Sequence, residues 1–192
     1  MDEMDSTAKA ARILLLGDPA LREIAGVVES FDGPSFVTDH QRLYATLLDF
    51  RNQNEFGRAI SAPQIGLRRR IIAMCLRGER HIIVNPQITW SSSQTFTMWD
   101  DCMSYPSLLV RLERALSISI HFQDERGTHQ DWKLLDIATS ELLQHEIDHL
   151  DGVLAIDRAI DRESIILKET YSAMPEYFRR LVDYEIAAKV FS

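Results

Sequence analysis

The chain has 192 residues, of which 45% are apolar and 26% are charged, and its formal net charge is −8. These proportions are typical of a globular protein built as one ordinary domain. The negative charge argues against a DNA-binding protein, because phosphate binding needs clustered lysine and arginine. No apolar run approaches the roughly 18 residues that a membrane span needs, so no membrane segment is expected.

Cysteine usage and the amino-terminal sequence bear on the compartment. Cys75 and Cys102 are too few for the disulfide framework of a small secreted domain. The first residues are acidic and lack the basic start and apolar stretch of a secretory signal. We therefore expect a reducing compartment, either the cytoplasm or the interior of an organelle.

The first half of the chain predicts a flexible start, a helix and a functional loop. Residues 1–11 are expected to be flexible. Apolar residues recur at helical spacing from Thr38 to about Asn52, and Thr38 followed by Gln41 matches a capping box, which predicts a helix. The segment from Gly57 to Gly66 is rich in small residues, so it is predicted to be a loop whose backbone can approach a ligand closely.

The middle of the chain predicts strands. Residues 70–76 and 81–84 flank a turn and predict a hairpin, whose second strand should end at Asn85-Pro86. Residues 115–122 alternate between apolar and polar, as in a half-buried strand. Weaker strand predictions fall at 87–97, 108–112 and 132–135.

The second half of the chain predicts helices. Residues 137–150 should form a helix that is capped by Asp136 and stopped by Gly152. A helical pattern begins at Ile165, is interrupted by Pro175 and resumes over 176–191. The element order predicts an α+β fold with mostly antiparallel sheets packed around a central helix, and with helices at both ends.

The central helix carries a metal-binding pattern. His145 and His149 are four residues apart, so their rings lie on one helix face and can share a metal ion. Glu146 projects beside them, where it can accept a proton from an attacking water. A catalytic site of this kind takes a third protein ligand. Cys102, in a polar turn, is one candidate, because thiolates bind zinc and ferrous iron. Acidic side chains downstream are the alternative: Asp151, Asp157, Asp161, Glu163 and Glu169.

Gln64 closes the small-residue loop and offers an amide donor for a developing oxyanion. The loop, the Cys102 turn and the His145–His149 segment, in this order, resemble the motifs of the peptide deformylases. Leu16–Arg22 and Val84–Pro86 also look like family segments. The resemblance covers residues 12–160, which we predict to be the catalytic domain, with residues 161–192 forming a helical extension packed on it.

The resemblance implies hydrolysis of the N-formyl group from the formyl-methionine that begins a new polypeptide. The family metal is usually Fe²⁺, with Zn²⁺ or Ni²⁺ also accommodated. Cys102, His145 and His149 would hold it, and Glu146 would deprotonate the water and later protonate the leaving amine. The Gln64 amide and the backbone N–H of Met103 would bind the oxyanion.

The resemblance also assigns supporting roles. Ser104 would orient the cysteine turn, and Asp100 would pair with Arg114. Four further positions are expected to contact the substrate: Gly57, Ala59, Ile60 and Asp101.

Three departures from the family pattern concern the peptide groove more than the metal. Ala59 stands where the family has a second glycine, Asp100-Asp101 replaces Glu-Gly before the cysteine, and Leu109 takes the place of a substrate-contacting arginine. The chemistry is therefore expected to be intact and the substrate choice to be altered.

Three functions follow from these observations. The leading one is a deformylase acting on a formylated peptide, with transient ribosome association and a monomeric or homodimeric state. The second is a peptidase that uses the same helix with an acidic third ligand. The third is a deformylase-like paralogue with another N-acyl substrate, weak activity, or peptide binding without turnover.

Overall fold

The computed structural model describes residues 8–54, 56–76 and 78–186. The helices and strands of this described part follow in this order: α1 (Pro34–Asn54), β1 (Ala59–Ser61), β2 (Ile71–Leu76), β3 (Glu79–Ser91), β4 (Thr95–Asp100), β5 (Leu108–Ala115), β6 (Ile118–Gln123), β7 (His129–Trp132), α2 (Ile137–Leu150), β8 (Ile165–Leu167), α3 (Lys168–Ala173) and α4 (Pro175–Arg179). None of these helices has the length and apolar character needed to cross a membrane.

Two antiparallel sheets form the frame. The larger sheet has the strand order β1-β2-β3-β6-β7, and the smaller one has the order β4-β5-β8. Sequence neighbours pair as hairpins in both sheets, for example β2 with β3 and β4 with β5. These pairings confirm the predicted α+β class of mostly antiparallel sheets.

Strand β2 lies between two helices, and the alternation of its side chains explains why all of them are apolar. Ile71 and Ala73 pack into a core cluster with α1, whereas Ile72 and Met74 pack into a second cluster with α2. All four side chains are fully buried. Each large one contributes about 2 kcal/mol through the apolar area it removes from water.

Helix α2 is the central element, with the predicted bounds. The Asp136 side chain accepts a hydrogen bond from Thr139 N at 2.8 Å and caps its first turn. Beyond its end, Gly152 has a φ of +72°, and a Cβ there would lie 2.5 Å from the carbonyl oxygen of Arg22. Only glycine satisfies both the left-handed backbone and this close approach, so the chain can turn back against the amino-terminal segment.

The structure corrects the predicted start of the first helix. Helix α1 begins at Pro34, so Thr38 lies within its first turns and is not a cap. The Thr38 hydroxyl donates to the carbonyl of Pro34 at 2.8 Å. At the amino terminus, residues 1–7 lie outside the described residues. Ala11 is held in place, because its N–H donates to Thr46 Oγ1 at 2.8 Å.

The predicted end of a strand at Asn85-Pro86 is wrong, because β3 continues to Ser91 through a bulge. Asn85 adopts a φ of +51°, which asparagine tolerates better than most residues. Its side chain is bonded to the backbone of Val28 and to the Gln123 side chain, each at 2.9 Å. Residues 87–97 consequently divide between the end of β3 and the start of β4.

The carboxy-terminal segment also differs from its prediction of two helical stretches. Residues 165–167 form β8, which pairs with Leu108–Val110 of β5. Pro175 begins the short helix α4, and helical structure ends at Arg179, while residues 187–191 of the predicted helix lie outside the described part. Part of the segment contacts the rest of the chain. Phe178 is buried, and its carbonyl accepts a hydrogen bond from Trp99 Nε1 at 3.0 Å.

Candidate metal centre

Helix α2 brings its two histidines together at the middle of the molecule. His145 Nε2 and His149 Nε2 lie 3.2 Å apart, and the two residues are only 6% and 1% exposed. Donor atoms held about 2.0–2.3 Å from one tetrahedral ion lie about 3.3–3.6 Å from each other. The observed separation is close to that range, so both imidazoles are directed at a common point.

Cys102 supplies the third donor from the turn after β4. Its Sγ lies 3.3 Å from His149 Nε2, and the donor atoms of Cys102, His145 and His149 all fall within 4.8 Å of one another. The backbone N–H of Ser104 points at Sγ from 3.4 Å. A thiolate with two imidazoles is a donor set for zinc or ferrous iron, so the residues fit a divalent transition metal.

An ion-pair network behind the donors fixes their orientation. Asp100 Oδ2 lies 2.9 Å from His145 Nδ1 and 2.7 Å from Arg114 Nη2, and all three residues are buried. Burial opposes both charges, but their attraction prevails: Asp100 raises the pKa of His145, and His145 with Arg114 lowers the pKa of Asp100. Arg114 also bonds Asp148 at 3.1 Å. The predicted pairing of Asp100 with Arg114 is thus present.

Burial and the charge of His145 lower the pKa of His149 well below its ordinary value. The ring of His149 is therefore neutral, which is the form that binds a metal. The carboxylate behind His145 fixes which of its ring nitrogens is free, an arrangement that is usual in metal sites.

Glu146 lies next to the donors, and it is 3% exposed. The Ser61 hydroxyl is 2.5 Å from Glu146 Oε2 and 2.9 Å from the Glu146 carbonyl oxygen. Burial raises the pKa of Glu146 despite the opposing influence of His145 and Ser61. A carboxyl group with a raised pKa is suited to taking up a proton and returning it near neutral pH.

Gln64 connects the loop after β1 to the cysteine turn. Its Oε1 accepts from the backbone N–H of Ser61 at 2.9 Å, which fixes the direction of the amide. Its Nε2 donates to Ser104 Oγ at 3.2 Å and lies 3.6 Å from Cys102 Sγ. The amide donors are therefore aimed at the metal-binding side of the turn that contains Met103.

A cavity of about 310 Å³ opens beside these groups. Gly57, Ala59, Asp101 and Leu109 line it, as do Gln64, Cys102, Met103, His145 and Glu146. Ile60 is the exception among the predicted substrate contacts: its side chain is fully buried in the core under α1 and does not line the cavity. Strand alternation explains this, since Ala59 and Ile60 face opposite sides of β1.

Sequence reasoning missed three polar residues at the site. Ser61 holds Glu146, while Arg58 and Glu141 pair in the cavity wall. For Glu141 a signal was available, because it precedes His145 by four residues and so shares its helix face. Arg58 and Ser61 stand within the small-residue loop, where nothing local reveals which way their side chains turn.

A model of the polypeptide deformylase family matches residues 10–164 of the chain. A peptide deformylase from Thermotoga maritima is 31% identical over 158 residues, which are 82% of this chain and 92% of that protein. One from Brucella suis is 31% identical over 185 residues, covering 93% and 97% of the two chains.

Solved structures agree in fold. The crystal structure of the Thermotoga maritima peptide deformylase superposes with a TM-score of 0.73 at 31% identity, covering 80% of this chain and 99% of that one. A Legionella pneumophila peptide deformylase gives a TM-score of 0.74 at 30% identity, with 90% and 97% covered.

Proposed function

The chain belongs to the polypeptide deformylase family, and from this membership we propose that it removes the N-formyl group from formyl-methionine at the start of a polypeptide. It is a metal-dependent amide hydrolase with a deformylase function. One observation carries the more specific proposal. The donors of Cys102, His145 and His149 meet within 4.8 Å, beside the buried Glu146 and at the wall of a cavity.

The reaction needs one base that later acts as an acid. As the oxygen of water adds to the formyl carbon, Glu146 accepts a proton from that water. As the carbon–nitrogen bond breaks, Glu146 gives the proton to the amine nitrogen, so formate and a free amino terminus result. Ser61 keeps the carboxylate directed through its 2.5 Å hydrogen bond. A divalent ion, when bound, supplies positive charge that acidifies water and polarises a carbonyl.

Two donors are proposed to stabilise the oxyanion that forms on the formyl oxygen. They are the Gln64 amide and the backbone N–H of Met103. Gln64 is suited to this role because Ser61 fixes its Oε1, leaving its Nε2 directed toward the cysteine turn. Fixed donors in a site shielded from water lower the barrier more than mobile ones, since they need no reorganisation during the reaction.

We assign Fe²⁺ as the native metal, with Zn²⁺ or Ni²⁺ as substitutes. The donor set of one thiolate and two imidazoles suits all three ions, and the preference for Fe²⁺ among them rests on the family resemblance. Ribosome association, the oligomeric state, and a cytoplasmic or organellar location stay predictions.

Among the described residues, no Asp or Glu joins the two histidines in a ligand group, so the acidic-ligand peptidase is not favoured. A formylated substrate whose first residue is not methionine is a second candidate. One observation favours it: the Arg58–Glu141 ion pair lies in the cavity wall.

Anaerobic purification with metal analysis, followed by assays on matched peptides, tests the proposal. Formyl-Met-Ala-Ser should be hydrolysed by iron-loaded protein, whereas acetyl-Met-Ala-Ser should not, because the extra methyl group must fit beside the metal. Comparison with formyl-Ala-Ala-Ser measures how much the methionine side chain contributes to kcat/KM. Equal rates on formyl and acetyl peptides would contradict the proposal. No turnover of any formyl peptide would also contradict it and would favour a protein that binds peptides without turnover.

A further inference from the structure

Arg58 and Glu141 form an ion pair inside the cavity that opens at Glu146. Arg58 Nη2 donates to Glu141 Oε1, and Arg58 Nη1 donates to the carbonyl of Ala138 at 3.0 Å. The two side chains are only 9% and 1% exposed. The pair is therefore a buried polar element in the wall of an otherwise partly apolar cavity.

The pair lies close to the reacting groups. Glu141 precedes His145 by four residues on α2, so it sits on the same face about 5–6 Å away along the helix. Arg58 stands between Gly57 and Ala59, both of which line the cavity. The first side chain of a formyl peptide begins three bonds from the formyl carbon that reacts at Glu146, so it would reach this part of the wall.

Neither member of the pair has a described hydrogen bond to a metal donor or to Glu146. Removing two charges from water costs several kcal/mol per ion. A protein with apolar side chains of similar volume in place of a buried ion pair is often equally stable. Burial raises the pKa of Glu146 and the charge of Arg58 opposes that rise, so the pair acts on the base only at a distance. What it changes is the chemistry that the wall offers to a ligand.

An apolar side chain such as methionine would fit this wall poorly. It would cover the part of the guanidinium that is still exposed and return no hydrogen bond to its remaining N–H groups, and a buried N–H without a partner is costly. A charged side chain would add a third charge to a neutral buried pair. A carboxamide, in contrast, carries an acceptor that suits a guanidinium N–H and a donor that suits a carboxylate oxygen.

We propose that the Arg58–Glu141 pair makes this enzyme select formyl peptides whose first side chain is a carboxamide over those that begin with methionine. The inference rests on the proposed deformylase function and specifies its second candidate, a formylated substrate whose first residue is not methionine. The carboxamide oxygen would accept from Arg58, and its NH₂ would donate to Glu141. Two of the five guanidinium N–H groups are engaged by Ala138 and Glu141 in the described structure, so donors remain for a ligand.

Size-matched peptides test the inference on the wild-type protein. Formyl-Gln-Ala-Ser, formyl-Met-Ala-Ser and formyl-norleucine-Ala-Ser have first side chains of similar length but different polarity. For the iron-loaded enzyme, kcat/KM is expected to be at least about tenfold higher for glutamine than for either apolar residue, since sites built for hydrogen bonds discriminate strongly against analogues that lack them. A preference for methionine and norleucine overturns the inference.

A double variant tests whether the pair is the cause. Arg58→Met with Glu141→Leu keeps similar side-chain volumes and removes both charges, so the preference should shift by about tenfold or more toward methionine. Arg111→Met is the control, because Arg111 pairs with Asp161 and does not line the cavity. An unchanged preference in a folded double variant also overturns the inference. If the double variant does not fold, the wild-type series decides.

The two levels of the hypothesis fail in different ways. Absence of turnover on all formyl peptides removes the proposed function and the inference with it. Turnover of formyl peptides with an apolar preference removes the inference alone and leaves the deformylase assignment standing.

Discussion

Asp100 lies 2.9 Å from Nδ1 of His145, on the side of the ring opposite the nitrogen that faces Cys102 and His149. Because the carboxylate accepts the proton of Nδ1, the lone pair of Nε2 is left free for a metal. Arg114 holds the same carboxylate oxygen at 2.7 Å. The shorter aspartate, where the family has glutamate, thus still reaches both partners.

Asp100→Asn should weaken metal binding without unfolding the site. The amide would place a donor or a weaker acceptor against Nδ1 and favour the wrong histidine tautomer. We expect metal affinity to fall by about 10–100-fold, as measured by competition with a chelator. Asp161→Asn, on the surface pair with Arg111, is the matched control and should bind metal as the wild type does. Unchanged affinity of Asp100→Asn would refute the orienting role.

Cys102→Ala should abolish metal retention, because two imidazoles alone form an incomplete site. The control is Cys75→Ala, since Cys75 is also a buried free thiol but lies on β2 in the core under α1. Metal content and deformylation should be lost only in Cys102→Ala. If both survive that substitution, a different third ligand must operate.

Glu146→Gln should separate metal binding from turnover. The amide is nearly isosteric and keeps an acceptor for the Ser61 hydroxyl, but it cannot accept and return a proton. We expect kcat to fall by about 10²–10⁴-fold at unchanged metal content. Glu113→Gln, at an exposed position of β5, controls for the loss of a carboxylate. Full activity of Glu146→Gln would show that another group moves the proton.

The Glu141 carboxyl should make stability depend on pH. Burial raises its pKa to about 7 from an ordinary value of 4.5, because desolvation outweighs the attraction of Arg58. The folded state then holds the proton more tightly than the unfolded state. Its contribution is fully present below pH 4.5 and is lost as the pH rises through 7. Relative to Glu141→Gln, the wild type should lose up to about 3 kcal/mol of unfolding free energy over this window. Parallel pH profiles from urea titrations would contradict the raised pKa.

The sequence predicts an element correctly where neighbouring residues mark its ends, and it fails where residues far away in sequence decide the structure. Helix α2 was predicted with its observed bounds because Asp136 and Gly152 mark its ends within a few residues. The histidine pair followed from helical spacing, and the cysteine followed from the family pattern. The sequence predicts too early an end for β3. Asn85 is held in the bulge by Val28 and Gln123, which are far away in sequence, so no local signal shows that the strand continues. The helix expected from Ile165 onward begins only at Lys168, because residues 165–167 pair with β5 as an edge strand.

The same limit applies to the cavity. Arg58 and Glu141 are separated by 83 residues, so no local pattern pairs them. Ile60 was assigned to the substrate because it lies in the motif, but the alternation of β1 turns it into the core. Motif membership therefore predicts residues that the fold brings together as a candidate metal site, whereas the polarity of the surrounding wall is visible only in the fold.

Gly57 offers a test of how closely the loop must approach the cysteine turn. Its φ is +107°, and a Cβ there would lie 2.4 Å from Met103 Cε. Gly17 has a similar φ of +103°, with nothing within 4 Å of a Cβ. Alanine at either position should cost about 1–2 kcal/mol of unfolding free energy through backbone strain. Only Gly57→Ala also adds a methyl group to the wall of the cavity, where the flexible Met103 side chain must swing aside, so only this variant should lose kcat/KM, by about tenfold or more. Equal activity of the two variants would mean that the space beside Gly57 does not matter for turnover.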